Sequence, residues 1–235
     1  MLIISWKIYQ TEAERNKIME IIEAIKQRHS VRQYTDKRIG AEVLDELQAE
    51  IDACNSEGGL HIQLVTDEPK AFDSFMAHYG KFSGVTNYIA LVGKKCDRLD
   101  EMCGYYGERL VLKAQQLGLN SCWVAMTYKK MPNAFKVGKG EKLTVVISLG
   151  YGAVQGAEHK IKTAEQVSNI SESAPEWFKR GVDAALLAPT AMNQQKFLLT
   201  YDGEKVTAKA GRGFYTKIDL GIVKYHFEVA SGRKI

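Results

Sequence analysis

Cysteine is scarce in this sequence. The 235 residues contain Cys54, Cys96, Cys103 and Cys122, none of them in a CxxC pair or at metal-ligand spacing from a histidine. They read as free thiols in a reducing compartment, which makes the cytoplasm the expected location. The five histidines (His29, His61, His78, His159 and His226) form no HxH or HxxxH pair, so a zinc site has no support. No apolar run approaches the length that spans a bilayer, and no membrane association is expected. The opening stretch "MLIISWKIYQTEAERNK" is too short in apolar residues for a signal peptide and lacks a small-residue cleavage site. A net charge of +4 without a basic, aromatic-interleaved stripe excludes nucleic acid as an expected partner.

Chemical motifs are missing too. "VGKK" and "VGKGEK" fall short of a phosphate-binding P-loop, and there is no GxSxG nucleophile turn. "GRGFY" at 211–215 has GxG, but Thr216 stands where a third glycine belongs, and the segment reads as strand. Acidic residues such as Glu20 and Glu23 fall on polar helix faces, and no carboxylate pair is set up for acid–base work. A chain with no nucleophile, metal or acid–base dyad either binds something inert or borrows its chemistry from a cofactor.

What is present is alternation of helices and strands. Met19, Ile21, Ile22 and Ile25 recur at helical spacing, as do Val43, Leu44, Leu47 and Ile51 in a second helix stopped by "NSEGG". "LHIQLVTD" alternates like a strand, and "NYIALVGK" is the short apolar run of a buried one. Residues 99–117 predict a long helix capped by Gly118, followed by strands in "NSCWVAMTY" and "KLTVVISLGYG". Short strands and tight turns argue against a purely parallel sheet, and a mixed sheet with helices packed on it is expected. Residues 157–175 read as a polar connector. Beyond it, "VDAALLAPTAMNQQKFLLTYD" repeats the helix–loop–strand order of "IDACNSEGGLHIQLVTD", a match short enough to arise by chance or by duplication.

Two stretches invite a functional reading. "KQRHSVRQYTDK" places Arg28 and Arg32 four positions apart around Ser30. On a helix they would share a face, either as a solvated basic end or as an anion site of two guanidiniums and a hydroxyl. "APTAMNQQ" is a polar loop that either ends a helix at Pro189 and caps it at Asn193, or presents amides to a ligand.

The order of these motifs resembles the nitroreductase family of flavoproteins. The likeness rests on R-H-S-V-R-x-Y after an amphipathic helix, a long helix leading into "LGLNSCWV", a strand ending in "LGYG", a basic "HKIK", and "APTAMNQQKF". Lys196 and Phe197 stand where that last motif has Pro-Trp in the family. The resemblance implies an α+β fold, a mixed and mainly antiparallel sheet with flanking helices, and the family's usual form is a homodimer holding FMN across its interface. Because this chain has one arginine cluster and one polar loop in separate parts, it resembles the branch in which two nitroreductase-like halves imitate the dimer in one polypeptide. The division implied is an extension at 1–18, a first half at 19–170 with the phosphate pocket, and a smaller second half at 171–235.

The resemblance also implies the site. Arg28, Ser30 and Arg32 would hold the FMN phosphate, with His29 between them contributing its backbone, and Lys160 and Lys162 would add cations. Pro189, Thr190, Met192, Asn193 and Gln195 would approach the flavin from the second half. Trp123, Val124, Ala125 and Met126, with Thr127, would support the ring and give a backbone N–H towards N5. Lys81, Phe82 and Gly84 would lie near its other side, although "KFSGV" also reads as a plain turn. The expected activity is hydride transfer from NAD(P)H through FMN to a small-molecule acceptor such as a nitroaromatic or quinone, in a monomer with one flavin. The alternatives are a flavoprotein of the same fold with another reaction, and a non-enzymatic module that has lost the flavin.

Overall fold

The computed structural model describes residues 21–235. The expected extension at 1–18, and Met19 and Glu20 with it, lie outside the described residues. A first helix, α1, covers 21–27 and seats Ala24 and Ile25 against Leu112 and Tyr225. It stops at Gln27. Arg28 and Arg32 therefore share no helix face, and the segment that follows is extended.

Four strands form one antiparallel sheet in the order β1 (Gln63–Val65), β2 (Asn87–Lys94), β4 (Glu141–Gly150) and β3 (Asn120–Val124). Among these named strands no pairing is parallel; the mixed character expected survives only as isolated bridges, such as Ser30 beside Ser121. Residues 87–93 of β2 are all buried, because both faces of the sheet are covered. Alternation sends Ile89, Leu91, Val145 and Ile147 to one side and Tyr88, Ala90, Val92 and Val146 to the other.

The larger side packs against α2 (Ala41–Gly58), α4 (Leu99–Gln116), α6 (Glu176–Leu186) and α7 (Thr216–Ser231). In α2 the buried positions Leu47, Ile51 and Cys54 follow helical spacing, as do Phe178, Val182 and Ala185 in α6. The other side is closed by Phe72, Phe82 and Tyr128 around the short α3 (Phe75–Tyr79).

Helix α7 is buried nearly all round and crosses α4 closely. A Cβ on Gly104 would overlap the Ile218 carbonyl, and one on Gly221 would overlap that of Glu101. This reciprocal pair of glycines brings the two backbones together. Gly118, at φ 75, then turns the chain out of α4, and the Leu119 N–H bonds the Ala114 carbonyl before β3 begins.

The region read as a connector holds a short helix, α5 (Ala164–Val167), opened by a reciprocal Thr163–Gln166 capping box. The two helix–loop–strand units of the sequence are α2 into β1 and α6 into β5 (Phe197–Tyr201). Here β5 pairs along its length with β6 (Val206–Ala210), in a separate antiparallel hairpin, and meets Ser168 through an isolated parallel bridge at Leu199. One hydrophobic core nonetheless contains Leu47 and Ile51 together with Phe178 and Phe227. "GRGFY" is a turn joining β6 to α7, rather than the strand its pattern suggests.

Candidate functional site

A cleft of about 540 Å³ opens where four segments converge. That volume falls within the range of cofactor and small-ligand sites. Its walls are the extended segment at Ser30 and Arg32, the end of β3 with the turn after it, the loop after α6, and the start of α7.

The first wall is extended because the sheet recruits it. The Val31 N–H bonds the Ser121 carbonyl at 3.0 Å, while Arg32 and Tyr34 exchange backbone hydrogen bonds with Ser83. Tyr34 is buried, with its hydroxyl donating to the Val31 carbonyl at 2.8 Å and lying 2.8 Å from the Ser148 hydroxyl. Burial raises its pKa, so it remains a neutral phenol that pins the segment to β4. Arg32 is exposed at the cleft, its guanidinium 6.0 Å from the Phe82 ring centroid, and forms no ion pair among the described residues. Ser30 lines the cleft beside Cys122, whose thiol burial pushes up, against the pull of Arg32 and a bond to Ser30.

Arg28 goes inward instead. It is 4% exposed, its Nε has no hydrogen-bond partner, and the nearest carboxylate oxygen, on Glu108, is 3.8 Å away. His29 is half buried beneath Gly156, and burial followed by the Arg28 charge lowers its pKa.

The loop after α6 is strained and heavily tied. Met192, Asn193 and Gln195 all have φ between 45 and 54, a region that side chains enter at a cost of roughly 1–2 kcal/mol each. Gln195 accepts from the Lys162 N–H at 2.9 Å and donates to the Lys160 carbonyl at 2.8 Å, while Lys162 Nζ donates to the Gln195 carbonyl at 2.8 Å. Asn193 also donates to the Lys160 carbonyl. The basic "HKIK" stretch thus braces the loop, and the amides of Asn193 and Gln195 are spent inside it. Pro189, Thr190, Ala191 and Met192 face the cleft.

Of the residues expected at a site, Ser30, Arg32, Trp123, Val124, Ala125, Met126, Pro189, Thr190 and Met192 line this one cleft. Arg28, His29, Lys81, Phe82, Gly84, Lys160, Lys162, Asn193 and Gln195 do not. Lys81 is exposed at φ 62, and Phe82 is buried beneath Arg32. The close backbone approach at Gly84 is to the Tyr34 carbonyl, which a Cβ there would overlap.

The fourth wall was not anticipated. Phe214 and Tyr215 rim the cleft, and Ile218, Asp219 and Ile222 line it from the first turns of α7. Asp219 is 3% exposed and accepts from the Ala191 N–H at 2.9 Å and from Gln194 Nε2 at 2.7 Å. Burial pushes its pKa up to about 6, against the pull of those two donors. The available signal was a Gly- and aromatic-rich turn directly before an apolar helix. Among the described residues, no cluster of three or more His, Cys, Asp or Glu could hold a metal ion.

Residues 20–231 match the model of the family described as "Putative TM nitroreductase". The chain belongs to this family. As a member of this nitroreductase family it has structural relatives of low sequence identity. A structure from Thermotoga maritima titled "putative nitroreductase" is 24% identical with a TM-score of 0.62, covering 89% of this chain and 82% of that one. A "Putative NADH dehydrogenase/NAD(P)H nitroreductase" from Parabacteroides distasonis is 21% identical with a TM-score of 0.50, covering 66% of this chain and 98% of that one. A structure from Desulfovibrio desulfuricans titled "putative nitroreductase in complex with fmn" is 18% identical with a TM-score of 0.48, covering 66% of this chain and 98% of that one. The first two likenesses show a common fold. Comparison with curated proteins found no match.

Proposed function

We propose that this protein is an FMN-dependent oxidoreductase that passes hydride equivalents from NAD(P)H to a small-molecule acceptor such as a nitroaromatic or quinone. The observation that supports this reading best is the cleft itself, with a cation and a hydroxyl on one wall and mostly apolar side chains elsewhere. Such a division suits a ligand with an anionic end and a flat apolar body.

When bound, FMN would supply the hydride-transfer chemistry, with the protein providing binding and orientation. Arg32 and Ser30 would bind the phosphate, since a guanidinium and a hydroxyl both donate to its oxygens. Trp123–Thr127 would form the ring's supporting wall and Pro189–Met192 the facing one. The exposed apolar side chains of Met126, Met192 and Phe214 at the mouth would orient an apolar acceptor and exclude water from the reacting face.

The C-terminal part would stand in for the partner subunit. In support, a shorter nitroreductase-like chain is covered at 98% by only 66% of this one, and α7 with the loop after α6 supplies half of the cleft walls. One flavin per chain follows from that reading.

The purified protein should show the visible absorption of bound FMN after desalting. Arg32→Ala removes a charge-assisted phosphate contact of roughly 1.5–3 kcal/mol, so FMN should bind about 10- to 100-fold more weakly. A colourless wild-type protein that takes up no added FMN would overturn the proposal.

A further inference from the structure

The cofactor reading leaves two stretches without a role, the "GRGFY" turn before α7 and the end of "APTAMNQQ". Gln194 joins them. Its Nε2 donates to the Phe214 carbonyl at 2.8 Å and to Asp219 Oδ2 at 2.7 Å, while Asp219 Oδ1 accepts from the Ala191 N–H at 2.9 Å. Both acceptors are oxygens, and an amide NH2 has two hydrogens, so the donor side of Gln194 is fully used. Its Oε1 lies against Gly213, where a Cβ would come within 2.6 Å of it. The glycine leaves room for that amide.

Gln194 does not line the cleft, but both segments it ties do. The loop carries the exposed Met192 at the mouth, and the turn carries the exposed Phe214. Each segment also holds a non-glycine residue in left-handed backbone, Met192 at φ 50 and Tyr215 at φ 59. Strain of this kind persists only where the surroundings fix the chain, and it gathers at functional sites.

We propose that Gln194 is a positioning residue for acceptor selection: by tying the Ala191–Asn193 loop to the Phe214 turn beside Asp219, it fixes the aperture of the cleft and so the width of acceptor admitted. The inference rests on the FMN reading above and deepens it by assigning a residue that limits acceptor size.

The test separates aperture from general loosening. Gln194→Met keeps the length of the side chain and removes both donated bonds. The comparison is of kcat/KM for the three-ring phenanthrenequinone and the single-ring p-benzoquinone, with FMN saturating. A site that is merely disordered loses activity towards both alike, so their ratio stays in place. In Gln194→Met the ratio should move towards the wider quinone by about fivefold or more, chiefly through KM. Gly213→Ala is the second handle. Its methyl meets the end of a flexible side chain, so the Gln194 amide gives way and the fold is kept. It should shift the ratio in the same direction, and the double variant should shift no further than Gln194→Met alone.

Amide exchange reads the tie without flavin. The Ala191 N–H bonds Asp219 and the Asp219 N–H bonds the Tyr215 carbonyl at 2.9 Å, one amide on each side of the tie. Loss of hydrogen bonds that hold a segment should speed exchange of both in Gln194→Met by about tenfold. A wild-type acceptor ratio in both single variants, fully additive shifts in the double variant, or unchanged exchange at either amide overturns this inference and leaves the FMN reading standing. A wild-type protein that takes up no FMN overturns that reading, and acceptor selection by Gln194 with it.

Discussion

Asp219 shows how the neighbours of a residue decide its chemistry. In isolation it is one more acidic residue near the start of a helix, where the dipole favours its charge. In the fold it is buried between α7 and the loop after α6, and its pKa rises from 3.8 to about 6. A raised carboxyl pKa means that the folded state holds its proton over a pH range in which the unfolded state has released it. The group's contribution is therefore most favourable at low pH and declines as pH rises from about 4 to above 6, by roughly 3 kcal/mol for a shift of this size. Asp219→Asn lacks that slope. Urea unfolding at pH 4.5 and pH 7 should show wild type losing stability relative to the variant as pH rises. Arg28 teaches the same lesson in reverse. The pattern R-x-S-x-R treats its two arginines alike, yet one faces the cleft and the other meets Glu108, because α1 ends at Gln27 and the chain then runs along β3.

Two elements carry strain or close contact for the sake of the cleft. The loop after α6 keeps three non-glycine residues at positive φ, and its many hydrogen bonds to Lys160, Lys162 and Asp219 hold it there. Met192 is 84% exposed at φ 50. Met192→Gly removes the left-handed penalty and adds some unfolded-state entropy, so thermal denaturation should show a gain of about 0.5–1 kcal/mol. The same change deletes an apolar side chain at the cleft mouth, and apolar acceptors should show a higher KM. The α4–α7 crossing is the other such element. Gly104→Ala forces a methyl into the Ile218 carbonyl, which should destabilise the fold by about 1–3 kcal/mol or more in a denaturant titration. It should also displace Ile218, Asp219 and Ile222, weakening any ligand in the cleft.

The whole molecule is knit by one core that runs from α2 to α7, although the small β5–β6 hairpin stands apart from the main sheet. With Phe178 and Phe227 both fully buried, each contributes about 1.5–3 kcal/mol of hydrophobic stabilisation across that junction. If the C-terminal part takes the place of a partner subunit, the cleft is complete without a second chain. Light scattering should then give the mass of a single chain, 26.3 kDa, and flavin titration one FMN per polypeptide. A dimer, or two flavins per chain, would count against that substitution. Among the described residues no helix is long and apolar enough to cross a membrane.

Local pattern determined much of this protein. The apolar run of β2, the periodic faces of α2 and α4, the Gly118 turn and the order of the short motifs are all written in neighbouring residues, because burial on one or both faces imposes period 2 or 3.6 on the chain that pays for it. Tertiary structure alone decided which side chains meet. Arg28 turned from the cleft to Glu108, the amides of Asn193 and Gln195 turned to the Lys160–Lys162 segment, and α7 supplied Asp219 to a cleft whose first wall is the distant Ser30–Arg32 segment. Such pairings depend on where distant elements pack, and packing is set by the shape of the whole core rather than by any stretch of sequence.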